Sequence, residues 1–287
     1  MKKKWIIASG IVVFIVGLLV LLAFTLFSLR SIKVDYRTST LNLTATEQEI
    51  IDSADFKMNT SVLFHGKKGY INKIESAFPY IKVVNIETVF PSRFVIHVAE
   101  REEIYALEGE SGYLICDDEF KILKIENSFQ NDAILLNGVS FKGVEKEGEF
   151  LDVENFPLVY SYLYENGIRA QDAVVLIDEI TYGTKFDSVL GEELPYFSLS
   201  MANGQTYTIL NCEYGIQSKM RLFVAVYGQI FDYIGQTITL YDENNEAYQV
   251  TLTYNNLKNA EILINNYYDY KTHDENDCYF NIIPSEI

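Results

Sequence analysis

An uninterrupted apolar run near the start constrains this chain more than any other feature. Trp5 to Phe27 reads WIIASGIVVFIVGLLVLLAFTLF, carries no charge, and has only Ser9 and Thr25 as polar side chains. As an α-helix rising about 1.5 Å per residue it is roughly 35 Å long, enough to cross a hydrocarbon core of about 30 Å. Cleavable signals have shorter apolar stretches, of about 7–15 residues, followed by a small-x-small site, and no such site follows here. The expectation is therefore a single N-terminal transmembrane helix bounded by Trp5 and Phe27. Lys2, Lys3 and Lys4 sit tight against one end, while Arg30, Lys33 and Arg37 lie past the other. The lysine cluster then keeps the N-terminus inside, leaving the bulk of the chain outside the cell membrane.

The charge balance narrows the partners. The 287 residues hold 23 Lys+Arg against 40 Asp+Glu, a formal net charge of -17. Such a surface repels phosphate backbones, anionic headgroups and anionic wall polymers, which argues against nucleic acid as a partner. The three cysteines, Cys116, Cys212 and Cys278, have no C-x-x-C spacing. An odd, scattered set does not make a disulfide framework, although one bridge stays open.

Past the apolar run the pattern splits into two blocks. Ile32 to Tyr36 alternates as a strand does. Thr46-Glu-Gln-Glu49 has the form of a capping box and predicts a short helix to about Ala54. Lys67 to Phe78 places Tyr70, Ile71, Ile74, Ala77 and Phe78 on one helical face, and Pro79 ends it. Two strands, Ile81 to Val89 and Phe94 to Ala99, follow around the turn Phe90-Pro91-Ser92-Arg93. This β-α-α-β-β order predicts two helices packed on one face of a three-stranded sheet.

From Ile104 the chain becomes strand-rich. Strands are expected at Gly112–Ile115, Phe120–Ile125, Ala133–Leu136, Val174–Asp178 and Tyr196–Met201. Asn203-Gly204 is the strongest hairpin signal and joins the last of these to Thr206–Leu210. Pro157 to Glu165 and Gln217 to Phe231 read as helices. Thr237–Tyr241 and Ala247–Tyr254 form a hairpin across Asn244-Asn245. From about Asn255 the chain turns polar and tyrosine-rich, and reads as a short helix followed by a loose tail.

The search for chemistry finds little. His65, His97 and His273 have no metal-binding spacing, and no G-x-S-x-G, S-x-x-K or glycine-rich phosphate loop occurs. No cofactor is implied. Asp117-Asp118-Glu119 reads as a solvated turn, because calcium loops need more ligands at fixed spacing. The chain is expected not to be an enzyme.

Several segments, in this order, resemble the FtsQ/DivIB family of bacterial cell-division proteins. They are a short Lys-rich tail and apolar helix, then IKVDY, a threonine-capped helix and MNTSVLF. AFPYIKVVNIETVFPSRFVIHVAERE (Ala77 to Glu102) follows, and then GYLICDDEFKIL. Last comes the block from Tyr196 to Tyr241 with a helix containing Lys219 and a strand beginning ITLYD. The resemblance implies an α+β chain in five parts. These are a cytoplasmic tail (1–4), the transmembrane helix (5–27) and a POTRA-like domain of β-α-α-β-β order (28–101). A strand-rich mixed β domain with flanking helices (102–254) and a C-terminal tail (255–287) complete it. It implies a divisome scaffold at the septum, with FtsB/DivIC-like and FtsL-like partners. In the family a partner segment adds itself as a strand near the end of the β domain. The matching strand here gives Ile238, Leu240, Tyr241, Tyr248 and Val250 as partner-binding residues. Two other readings stay open: a POTRA-bearing membrane adaptor for secretion or spore-envelope assembly, and a membrane-anchored enzyme that modifies the cell wall.

Overall fold

The computed structural model describes residues 10–18, 21, 25–37, 45–130, 133–154, 159–187, 191–241, 246–266 and 278–285. The chain divides into two compact units, Met1–Arg101 and Glu102–Ile287.

The expected transmembrane helix is corrected. Among the described residues, no helix is long and apolar enough to cross a membrane. Residues 10–18 are helical, a length of about 14 Å against the roughly 30 Å required. An apolar composition sets what a helix would bury, not how far it runs. Phe27 is part of the first unit. It packs on the core of the first unit, edge-on to Phe90 at 5.9 Å, and its carbonyl accepts from Val62 N–H at 2.7 Å. Trp5, Lys2, Lys3 and Lys4 lie outside the described residues.

The first unit contains β1 (Ser31–Tyr36), α1 (Glu47–Ala54), α2 (Lys67–Ala77), β2 (Ile81–Val89) and β3 (Arg93–Glu100). Its sheet runs β1-β3-β2, with β1 parallel to β3 and β2 antiparallel to it. Thr46 caps α1: its hydroxyl accepts from Glu49 N–H, while the Glu49 carboxylate accepts from Thr46 N–H at 2.8 Å. That reciprocal pair satisfies two donors a helix start leaves open. Along β3, Phe94, Ile96 and Val98 are fully buried beneath Ile50, Ala54 and Ile74 of the helices. On the opposite face, His97 bridges Asp35 of β1 (2.7 Å) and Glu87 of β2 (3.0 Å). Arg101 closes the unit, half of an ion pair with Glu75 of α2 at 3.2 Å.

The second unit is built on nine strands. In chain order its elements begin with β4 (Tyr105–Gly109), β5 (Gly112–Cys116), β6 (Ile122–Glu126) and β7 (Ile134–Asn137). The small pair β8 (Ser140–Lys142) and β9 (Asp152–Glu154) follows, then helices α3 (Val159–Glu165) and α4 (Ala170–Leu176). Strands β10 (Ile177–Asp187), β11 (Glu192–Met201) and β12 (Thr206–Leu210) lead to helix α5 (Ile216–Gln229). Last come β13 (Thr237–Tyr241), β14 (Ala247–Thr251), α6 (Tyr254–Lys258), β15 (Glu261–Asn266) and β16 (Cys278–Ile283). The large sheet runs β16-β15-β12-β11-β10-β7-β4-β5-β6, and β13 and β14 form a separate hairpin. The turn between β11 and β12 forms at Asn203-Gly204, where Gly204 takes φ +92°, a value open to glycine without strain.

Three expectations change here. The strand read at Val174–Asp178 is the end of α4 and the start of β10. Ala170-Gln171-Asp172-Ala173 starts a helix, and the Ile177 N–H still bonds to the Ala173 carbonyl. The loose tail after Asn255 is α6 and two strands of the main sheet: β15 runs parallel to β12, and β16 antiparallel to β15. The β domain therefore continues past residue 254. The acidic turn is solvated only in part: Glu119 is exposed and Asp118 half-buried. Asp117 is buried, and its carboxylate accepts from the N–H groups of Glu119 (3.0 Å) and Lys121 (2.9 Å). Asp117→Ala takes that acceptor from two backbone donors, and should lower the unfolding free energy by about 2–3 kcal/mol in urea denaturation. Asp117→Asn, which keeps a carbonyl oxygen, should recover most of the loss.

Helix α5 is tied to the sheet by a buried cation. Lys219 is fully buried beside Met220 and Phe223, and its Nζ donates to the carbonyls of Leu210 and Asn211 at 2.7 Å each. Burial pulls its pKa down to about 8. Burial also pushes the neighbouring Cys212 thiol up to about 11. Cys116 and Cys212 are buried free thiols.

Candidate functional site

Strand edges carry unpaired N–H and C=O groups, and folded proteins usually guard them with charges, bulges or covering segments. Three of the four edges of the two larger sheets are guarded. On β1, the Glu47 carboxylate accepts from Val34 N–H at 2.9 Å. On β2, Glu75 accepts from Val83 N–H at 2.7 Å, next to a register shift between Val83 and Asn85. On β6, Lys124 pairs with Glu103 and Glu126, and the loop around Gly148 and Glu149 bonds to both backbone groups of Ile122.

The fourth edge, β16, is different. Its sequence, CYFNII, has neither a charged residue nor a proline. Beside it lies a groove of about 630 Å³. One wall is Phe280, Asn281, Ile282 and Ile283 of β16, and the other is Ile238, Thr239, Leu240 and Tyr241 of β13, with Tyr248 of β14. Tyr233, Gln236 and Leu263 complete the lining. Tyr233 meets Phe280 edge-on at 5.7 Å and, with Ile238, joins the unit's main core.

The hairpin register places the residues expected to bind a partner. Ile238 pairs with Val250, Leu240 with Tyr248 and Tyr241 with Ala247. Since side chains alternate between faces, Ile238, Leu240, Tyr248 and Val250 share one face and Tyr241 takes the other. Ile238 and Val250 are half-buried, while Tyr241 and Tyr248 are exposed. All of them except Val250 line the groove. The opposite wall escaped the sequence reading. Its signal was the apolar stretch CYFNII before Pro284, masked by the polar, tyrosine-rich segment that precedes it.

The groove offers apolar, amide and hydroxyl side chains together with strand backbone. Among the described residues, no group of three or more His, Cys, Asp or Glu side chains could hold a metal ion. His65 is used structurally in the first unit: Nδ1 bonds to the Tyr70 hydroxyl at 2.6 Å and Nε2 to Thr60 Oγ1 at 2.8 Å. Burial holds its pKa below the usual imidazole value.

A family model described as POTRA domain, FtsQ-type, matches residues 27–101. The match begins at Phe27, where the backbone of the first unit begins to pair, and ends at Arg101, where that unit ends. No curated protein matches the chain. Residues 27–101 are thus a POTRA domain of the FtsQ type.

Proposed function

We propose that this protein is a non-enzymatic scaffold of the bacterial divisome. Its second unit captures an extended segment of an FtsB/DivIC-like partner, with an FtsL-like protein in the same assembly. The complex works outside the cytoplasm at the septum and regulates when the septum forms. The observation that carries this reading is that β16 ends the sheet order, among the described residues, with neither a charged residue nor a proline. An added strand would pair with the outer backbone groups of Phe280–Ile283, and the groove's apolar side chains would select the partner. The FtsQ-type POTRA domain supports the setting in cell division. The guards on β1 and β2 favour strand addition in the second unit over the first.

The test is co-purification from cells that carry the full-length chain. Thr239→Pro removes a backbone N–H of β13 that faces away from β14, because the Leu252 N–H bond to the Gln236 carbonyl and the hairpin register turn the Leu240 N–H toward Tyr248. It should cut recovery of the FtsB/DivIC-like partner at least tenfold while the variant melts as a folded protein. Undiminished recovery by a folded variant would contradict the assignment of this wall. Depletion supplies the cellular arm. Filamentous or unseparated cells are expected, and normal division with a transport or sporulation defect would overturn the division reading.

A further inference from the structure

We infer that the groove is a slot for one extended, cationic strand that hydrogen-bonds to β16 and β13 at once. The inference rests on the strand-capture reading and deepens it. Side chains alternate along a strand, so a surface that meets only one face of a strand touches every second residue. Here four consecutive residues of β16, Phe280–Ile283, and four of β13, Ile238–Tyr241, line the same groove. Consecutive lining is the mark of a strand seen edge-on, with its backbone turned to the space. The two strands belong to different sheets. Neither contains a charged residue that would guard it. A segment between them would join the hairpin to the nine-stranded sheet and satisfy both of its own edges. Strand addition at a single edge leaves half of the added backbone to water.

Charge identifies the occupant. Glu102–Ile287 holds 10 Lys+Arg against 32 Asp+Glu, a balance of -22, whereas Met1–Arg101 holds 13 against 8, a balance of +5. Residues 230–287, which include both walls of the groove, have ten acids and two cations. A basic segment is drawn toward this unit and an acidic one is repelled. The floor, Tyr233 and Phe280, is aromatic and calls for an apolar face. The occupant is therefore a segment alternating apolar residues with Lys or Arg.

Fluorescein-labelled octapeptides alternating lysine and valine test this against the full-length chain by fluorescence anisotropy. Successive backbone N–H groups of a strand face opposite edges. N-methylation at every valine therefore blocks one edge, and N-methylation at every lysine blocks the other. The unmethylated peptide should bind, weakening as salt rises, and a glutamate–valine twin should not bind. Each methylated peptide should bind at least tenfold more weakly than the parent. If one methylated peptide keeps full affinity, pairing uses a single edge; this inference fails and strand capture stands. If both keep it, the attraction is only diffuse charge, and the slot is overturned. Failure of the parent peptide to bind at low salt also overturns it. Strand capture is then judged independently by the Thr239→Pro co-purification.

Discussion

Lys219→Ala should lower the unfolding free energy of the second unit by about 4 kcal/mol, enough to leave a typical domain barely folded. Two losses add. The four-carbon stem of Lys219 is fully buried against α5 and β12, and its removal leaves a cavity. The carbonyls of Leu210 and Asn211 also lose the amine that bonds to both at 2.7 Å. Lys219→Met restores the stem but not the donors, and should cost about 2 kcal/mol. Chemical denaturation followed by the tyrosine signal separates the three proteins.

The same residue predicts a pH dependence with a definite sign. Burial lowers the folded pKa to about 8 from the usual lysine value of about 10.5. Between those values the unfolded chain holds a proton that the folded chain has released. Unfolding therefore takes up a proton, and stability rises with pH across this window. Below about pH 8 both states are protonated, and the burial penalty on the charged amine is constant. A neutral amine has two N–H groups and meets two carbonyls, so the deprotonated form fits the site fully. The difference in stability between the native chain and Lys219→Met should widen in favour of the native chain from pH 8 to 10.5. A constant difference would contradict it.

Phe94→Ala should be the most damaging single change in the POTRA domain, at about 3–5 kcal/mol. Phe94 is fully buried at the start of β3. Its ring lies 6.1 Å from Phe56 and meets His65 edge-on at 5.3 Å, with Lys67 Nζ 5.7 Å from its centroid. Truncation empties the centre of that cluster. It should speed amide exchange throughout 27–101 while exchange in β4 to β7 stays unchanged. Equal acceleration in both units would mean that they unfold as one.

The POTRA domain was the most legible part of the chain, for local reasons. Thr46 and Glu49 announce the start of α1, Pro79 the end of α2, and Phe94, Ile96 and Val98 a one-sided strand. Each signal lies within a few residues of the feature it sets. The membrane expectation rested on the apolar run being helical from end to end, and among the described residues no helix reaches a membrane-crossing length. In the second unit, the Asn203-Gly204 turn placed β11 and β12. The pairing of β15 beside β12 joins residues more than fifty positions apart, and no local pattern encodes it. Half of the groove was therefore visible as the hairpin β13–β14. The other half, β16, was hidden in a polar setting, where six residues without charge matter only once the sheet order makes them an edge. Asp117 was misread for the opposite reason: an acidic triplet looks solvated until its neighbours' N–H groups are seen to converge on it.

The central claim is that β16 gains a neighbouring strand when the partner binds. Amide hydrogen exchange of Phe280 to Ile283 in the full-length chain, with and without the co-purified FtsB/DivIC-like partner, tests it most directly. Those amides that face away from β15 should exchange rapidly in the free protein and slow at least a hundredfold in the complex. Complex formation that leaves their exchange unchanged would contradict the account.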